Sequence, residues 1–108
     1  MELSFVTEAL RAICESRRRA TNKLGYEAAQ ALETMLADID ACHSMSEFTA
    51  LYGDRTPAAL FDVFEVTLDH GPTVSIISGH VTTPRRKDGR VDWNKVTRIR
   101  ITEIGTLS

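Results

Sequence analysis

The chain has 108 residues, 43% of them apolar and 26% charged, and carries a formal net charge of −2. That length admits one domain with a core of its own, and that composition excludes wholesale disorder. No apolar run approaches the roughly 20 residues that cross a bilayer. The opening Met1-Glu2-Leu3-Ser4-Phe5-Val6 lacks the basic and apolar regions of a signal peptide, so the expected location is cytoplasmic, with no membrane partner.

Charge is unevenly placed. Residues 1–80 carry six Lys or Arg against twelve Asp or Glu, whereas residues 81–108 carry seven against three. An acidic body with a basic final third fits a local anion-binding face. Cys14 and Cys42 belong to no Cys-x-x-Cys pair and are expected to be reduced, buried thiols. His43, His70 and His80 stand far apart with no second ligand at helical or turn spacing, so no metal site is expected.

Taken in order, Glu2 to Val6 alternates and predicts a short strand. Thr7 can cap a helix carrying Leu10, Ile13 and Cys14 on one face, with Arg17, Arg18 and Arg19 as cations suited to its C-terminus. Asn22-Lys23-Leu24-Gly25 breaks the helical run. A longer amphipathic helix follows from about Tyr26 to Cys42, its stripe formed by Ala28, Leu32, Met35 and Ile39 and widened by Ala31 and Leu36. Ser44 to Phe48 predicts a cap and a single turn, and Tyr52 to Pro57 a loop.

Three strands then close the chain. Leu60 to Leu68 is rich in Phe and Val, Thr73 to Val81 carries Val74, Ile76 and Ile77, and the last strand runs from Val96 to Ile104. Between the last two lies a turn-rich basic segment, Thr82-Thr83-Pro84-Arg85-Arg86-Lys87-Asp88-Gly89-Arg90. In the final strand Ile99 and Ile101 share one face and Arg98 and Arg100 the other, because successive side chains alternate. The predicted class is α+β: two N-terminal helices on one face of a mostly antiparallel sheet, in the order β-α-α-β-β-β.

Several segments together resemble a known family. They are Leu10-x-x-Ile13-Cys14, Lys23-Leu24-Gly25, the Ala/Leu helix after it, Tyr52-Gly53-Asp54-Arg55, Asp92-Trp93-Asn94-Lys95-Val96-Thr97-Arg98-Ile99 and Ile101-Thr102-Glu103-Ile104. In this order and spacing the chain resembles the HigB-type killer toxins of the RelE/ParE superfamily, the toxin halves of bacterial type II toxin–antitoxin systems. The resemblance implies a RelE-like, microbial-RNase-like fold whose open sheet face receives messenger RNA on the ribosome. It implies a ribosome-dependent mRNA endonuclease that inhibits translation, helping a ribose 2′-hydroxyl attack the adjacent phosphate. It also implies a cognate helix-turn-helix antitoxin as partner and no small-molecule cofactor.

On that resemblance the catalytic candidates are Arg98, Arg100, Arg55 and His80, and the RNA-binding candidates Arg85, Arg86, Lys87 and Arg90. Arginine suits a phosphate because its planar fork is always charged and meets two oxygens at once. The chain departs from the family pattern in three places. Val74-Ser75-Ile76-Ile77 stands where many members carry a strand arginine, Tyr52 where many carry a loop lysine, and Gly105-Thr106-Leu107-Ser108 where many end in an Asp-Tyr-His-like tail. Two other readings therefore stay open: a RelE-fold protein that binds its antitoxin or target without cutting, and a ParE-like gyrase inhibitor.

Overall fold

The alternation at the N-terminus does form a strand, β1 (Glu2–Phe5), and Thr7 then caps α1 (Glu8–Glu15), its hydroxyl accepting from the Leu10 N–H at 3.2 Å. The computed structural model describes residues 1–52, 62–69, 71–105 and 107. After α1 come α2 (Arg17–Leu24), α3 (Tyr26–Ala41) and α4 (Met45–Tyr52), then β2 (Phe64–Thr67), β3 (Thr73–Ser78), a 3₁₀ turn (Trp93–Lys95) and β4 (Arg98–Ile104).

The expected two helices are thus four among the described residues. The first is divided at Ser16, whose backbone is extended (φ −128°, ψ 111°) and whose hydroxyl accepts from the Arg19 N–H at 3.2 Å. A serine that caps the next helix ends the one before it. Arg17, Arg18 and Arg19 consequently open α2 instead of closing α1, at the end where a helix dipole disfavours cations. Arg17 offsets this by reaching Glu33 of α3 with two bonds, at 2.9 and 2.7 Å. Its hydrogen bond holds the Glu33 carboxyl below the ordinary range. Ser16→Ala is expected to lower stability by about 0.5–2 kcal/mol, seen as an earlier midpoint in urea unfolding.

Gly25 ends α2 and admits α3 with φ +88°, a conformation in which a Cβ is strained. Along α3 the expected stripe is buried: Ala28, Leu32, Met35 and Ile39 are all 2% exposed or less. The single turn expected after Ser44 is a full helix, α4, which buries Met45, Phe48 and Tyr52. Phe48 and Tyr52 stack with ring centres 4.5 Å apart, and the Tyr52 hydroxyl donates to Asp38 of α3 at 2.5 Å.

The sheet runs β1-β4-β3-β2 and is mixed. β2, β3 and β4 pair antiparallel as a meander, whereas β1 lies parallel to β4 with Glu2 opposite Arg98 and Ser4 opposite Arg100. β2 starts at Phe64 and β3 ends at Ser78, so both are shorter than predicted; residues 60 and 61 of the first prediction lie outside the described ones. α1 packs on β1 and β4, and α3 packs on α2 and reaches the sheet at β1. Ile99, Ile101, Ile104, Val74, Ile76, Phe64 and Val66 face those helices and join one buried cluster with Leu10, Leu32, Met35, Ile39 and Phe48.

A β-bulge lies between β3 and β4, where Ser75 pairs with Glu103 but Ile76 pairs with Ile101. Thr102 is the extra residue, and its hydroxyl donates to the Ser75 carbonyl at 3.3 Å. Strict alternation after Ile101 would turn Ile104 to solvent. The bulge resets the phase, so Ile104 is fully buried and Glu103 exposed.

Candidate functional site: the open face of the sheet

With the helices on one face, the opposite face is open to solvent. The burial pattern along β4 alternates as expected, with Arg98 and Arg100 exposed and Ile99 and Ile101 buried. The two arginines stand at i and i+2 on the uncovered side and each meets its partner in β1. Arg98 Nε lies 3.0 Å from the Glu2 carboxylate, and Arg100 Nε donates to the Ser4 hydroxyl at 3.2 Å. Parallel pairing of β1 with β4 produces both contacts, since the register sets Glu2 beside Arg98 and Ser4 beside Arg100.

Glu65 and Glu103 share this face, and Ile77 sits beside Arg100 as a half-buried apolar neighbour. The face therefore carries two arginines against the carboxylates of Glu2, Glu65 and Glu103 among the described residues. It is a mixed surface, not a uniformly basic one. An exposed ion pair such as Glu2–Arg98 contributes only about 0–1 kcal/mol, so a phosphate can replace the carboxylate at small cost.

His80 lies next to Arg98 but holds backbone. Its Nε2 accepts from the Thr97 N–H at 3.0 Å and from the Arg98 N–H at 3.3 Å, while the Gly79 N–H donates to the Arg98 carbonyl at 2.8 Å. These bonds close the neck of the 81–97 segment and align the start of β4. With Nε2 accepting twice, the ring's proton sits on Nδ1. His80 is in place as a positioning group, and its Nε2 has no free lone pair for substrate.

The basic segment forms a hairpin. Arg85 bridges Val91, the Arg86 N–H donates to the Arg90 carbonyl at 2.7 Å, and Gly89 turns with φ +87° behind Asp88, as such a tight turn demands. Arg85 is used internally, donating to the Gly89 carbonyl at 2.9 Å and to Asp62 at 3.2 Å. Arg90 approaches Asp88 at 3.7 Å. Arg86 and Lys87, at the turn, remain exposed and point to no acid among the described residues. Arg55 lies outside the described residues, so its relation to the face is not defined.

Sequence reasoning missed Glu2 and Ser4 as neighbours of the arginines. Parallel pairing between the first and last strands leaves no local signal in either one. Both cysteines are free thiols; Cys42 is buried as expected, whereas Cys14 is only half-buried. Burial, with Glu15 nearby, pushes the Cys14 thiol up to about 12, and burial raises that of Cys42 as well, so neither presents a thiolate. Among the described residues no group of His, Cys, Asp and Glu is arranged to hold a metal, and no helix is long and apolar enough to cross a membrane.

No family model, no curated protein and no solved structure matches this chain.

Proposed function

We propose that the protein is the toxin component of a type II toxin–antitoxin system, an mRNA endonuclease that works in the ribosomal A site and inhibits translation. The observation that carries the reading is the pair Arg98 and Arg100, adjacent on the uncovered face of a sheet whose other face is filled by helices. Two guanidinium groups at i, i+2 spacing suit successive phosphates, or one phosphate passing through a pentacoordinate state. Arg86 and Lys87 on the hairpin add cations that attract a polyanion from a distance. The partner would be a helix-turn-helix antitoxin that covers this face or holds the domain away from the ribosome.

A second reading, binding without cleavage, is favoured by one feature. His80, one of the catalytic candidates, uses Nε2 to hold the Thr97 and Arg98 backbone. Induced expression of the chain separates toxin from bystander. Growth should stop, and co-expression of the adjacent gene should restore it. Full growth at high soluble yield would dismiss the toxin reading. Arrest with accumulated gyrase–DNA complexes and intact messages would favour a ParE-like inhibitor instead.

A further inference from the structure

The cleavage reading needs a group that takes a proton from the ribose 2′-hydroxyl, and neither Arg98 nor Arg100 can do so, because guanidinium groups stay charged. At the edge of the open face, where β1 starts and α3 ends, lies a pocket of about 380 Å³ lined by Glu2, Arg98, Thr97, Asp40 and His43. It is an open depression, in which the Glu2 and His43 side chains are 73% and 91% exposed. The Glu2 carboxylate stands 3.0 Å from Arg98 Nε. Met1 anchors the strand beside it, its ammonium donating to the Ile39 carbonyl at 3.0 Å and to the Cys42 carbonyl. His43 is held by Glu47, which accepts from the His43 N–H at 2.7 Å and faces its Nδ1 at 3.5 Å, leaving Nε2 for other partners.

We infer that this pocket is the cleavage centre, with Glu2 as general base, Arg98 as the phosphate cation and His43 as general acid. The inference rests on the nuclease reading above and supplies the proton carriers that reading lacks. As the 2′-oxygen bonds to phosphorus, its proton passes to Glu2. The bond from phosphorus to the 5′-oxygen breaks, and that oxygen takes a proton from the His43 imidazolium. The products are a 2′,3′-cyclic phosphate and a 5′-hydroxyl; solvent then removes the proton from Glu2 and returns one to His43. Arg98 serves both partners, orienting the carboxylate in the free protein and meeting the phosphate oxygens during reaction. Among the described residues Asp40 of α3 also lines this centre, with Glu47 of α4 and Asp38 of α3 close by, and Asp40 makes no contact with Arg98 that would aim it at the phosphate.

The test uses the purified protein on ribosomes programmed with a short defined message, with single-turnover cleavage and message binding measured separately. Glu2→Gln keeps an amide oxygen to accept from Arg98 but removes the base, so cleavage should fall by about 100- to 10,000-fold while binding holds or tightens. His43→Ala should lower cleavage over the same range with binding retained. Both variants should melt with the wild type. Wild-type cleavage by Glu2→Gln overturns the assignment and leaves the nuclease reading standing. Parallel loss of binding and cleavage in Glu2→Gln also overturns it, because Glu2 then only holds Arg98 in place. A wild-type protein that binds the message and never cuts it overturns this inference together with the nuclease reading.

Discussion

Phe48→Ala is expected to lower stability by about 3–5 kcal/mol, from lost transfer free energy together with the cavity left behind. Phe48 is fully buried and stacks on Tyr52, so no solvent-facing rearrangement fills the space. α4 is also the element that ties the helical layer to the segment leading into β4. The Met45 N–H donates to the Val96 carbonyl at 3.0 Å, and Ser46 bonds the Asn94 side chain at 3.2 Å. Domains are stable by only about 5–15 kcal/mol, so this one change removes a large share of the total. Urea unfolding followed by circular dichroism measures it. A loss below about 0.5 kcal/mol, the size of a neutral surface change, would show that α4 is not part of the core.

Arg98→Ala and Arg100→Ala are expected to abolish growth arrest and to lower message cleavage by about 100- to 1,000-fold, the usual effect of removing one donor from a developing anion. Stability should shift by no more than about 0.5 kcal/mol, because both side chains are exposed, as is Glu2, and the half-buried Ser4 hydroxyl keeps the Ile99 carbonyl as a partner. The contrast with Phe48→Ala separates site from scaffold: that variant loses stability, while these two keep it and lose function. Arg100→Ala should also flatten the dependence of message binding on salt, by about 0.7 in the logarithmic slope for each phosphate contact removed. Retained toxicity in both arginine variants, measured by growth with thermal melts alongside, would return them to an ordinary solvated face.

The parts of this fold legible in the sequence are those set by local pattern. The stripe of Ala28, Leu32, Met35 and Ile39 repeats at helical spacing, and the β4 arginines alternate with isoleucines; both arise from neighbours a few residues apart. The illegible parts depend on choices made elsewhere in the chain. Ser16 is equally at home within a helix surface or at a cap, and only its extended backbone divides α1 from α2. Ile104 breaks the alternation, and the bulge at Thr102 that rescues it depends on pairing with β3.

The site divides in the same way. Arg98 and Arg100 were readable as a pair because a single strand defines them. Glu2 was not readable as their neighbour, because only the parallel pairing of residues almost a whole chain apart brings it there. His80 suits proton chemistry by residue type, yet its ring nitrogen is committed to backbone through two bonds that sequence alone does not reveal. His43 is isolated in the sequence because its surroundings are assembled from β1, the end of α3 and the start of β4.

The most direct test of the central claim is to map the 5′ ends of cellular messages after induction of the wild-type chain and of Arg98→Ala. The account predicts new ends within translated codons for the wild type, with 5′-hydroxyl termini, and none for the variant. Growth arrest by the wild type with messages intact from end to end would contradict it.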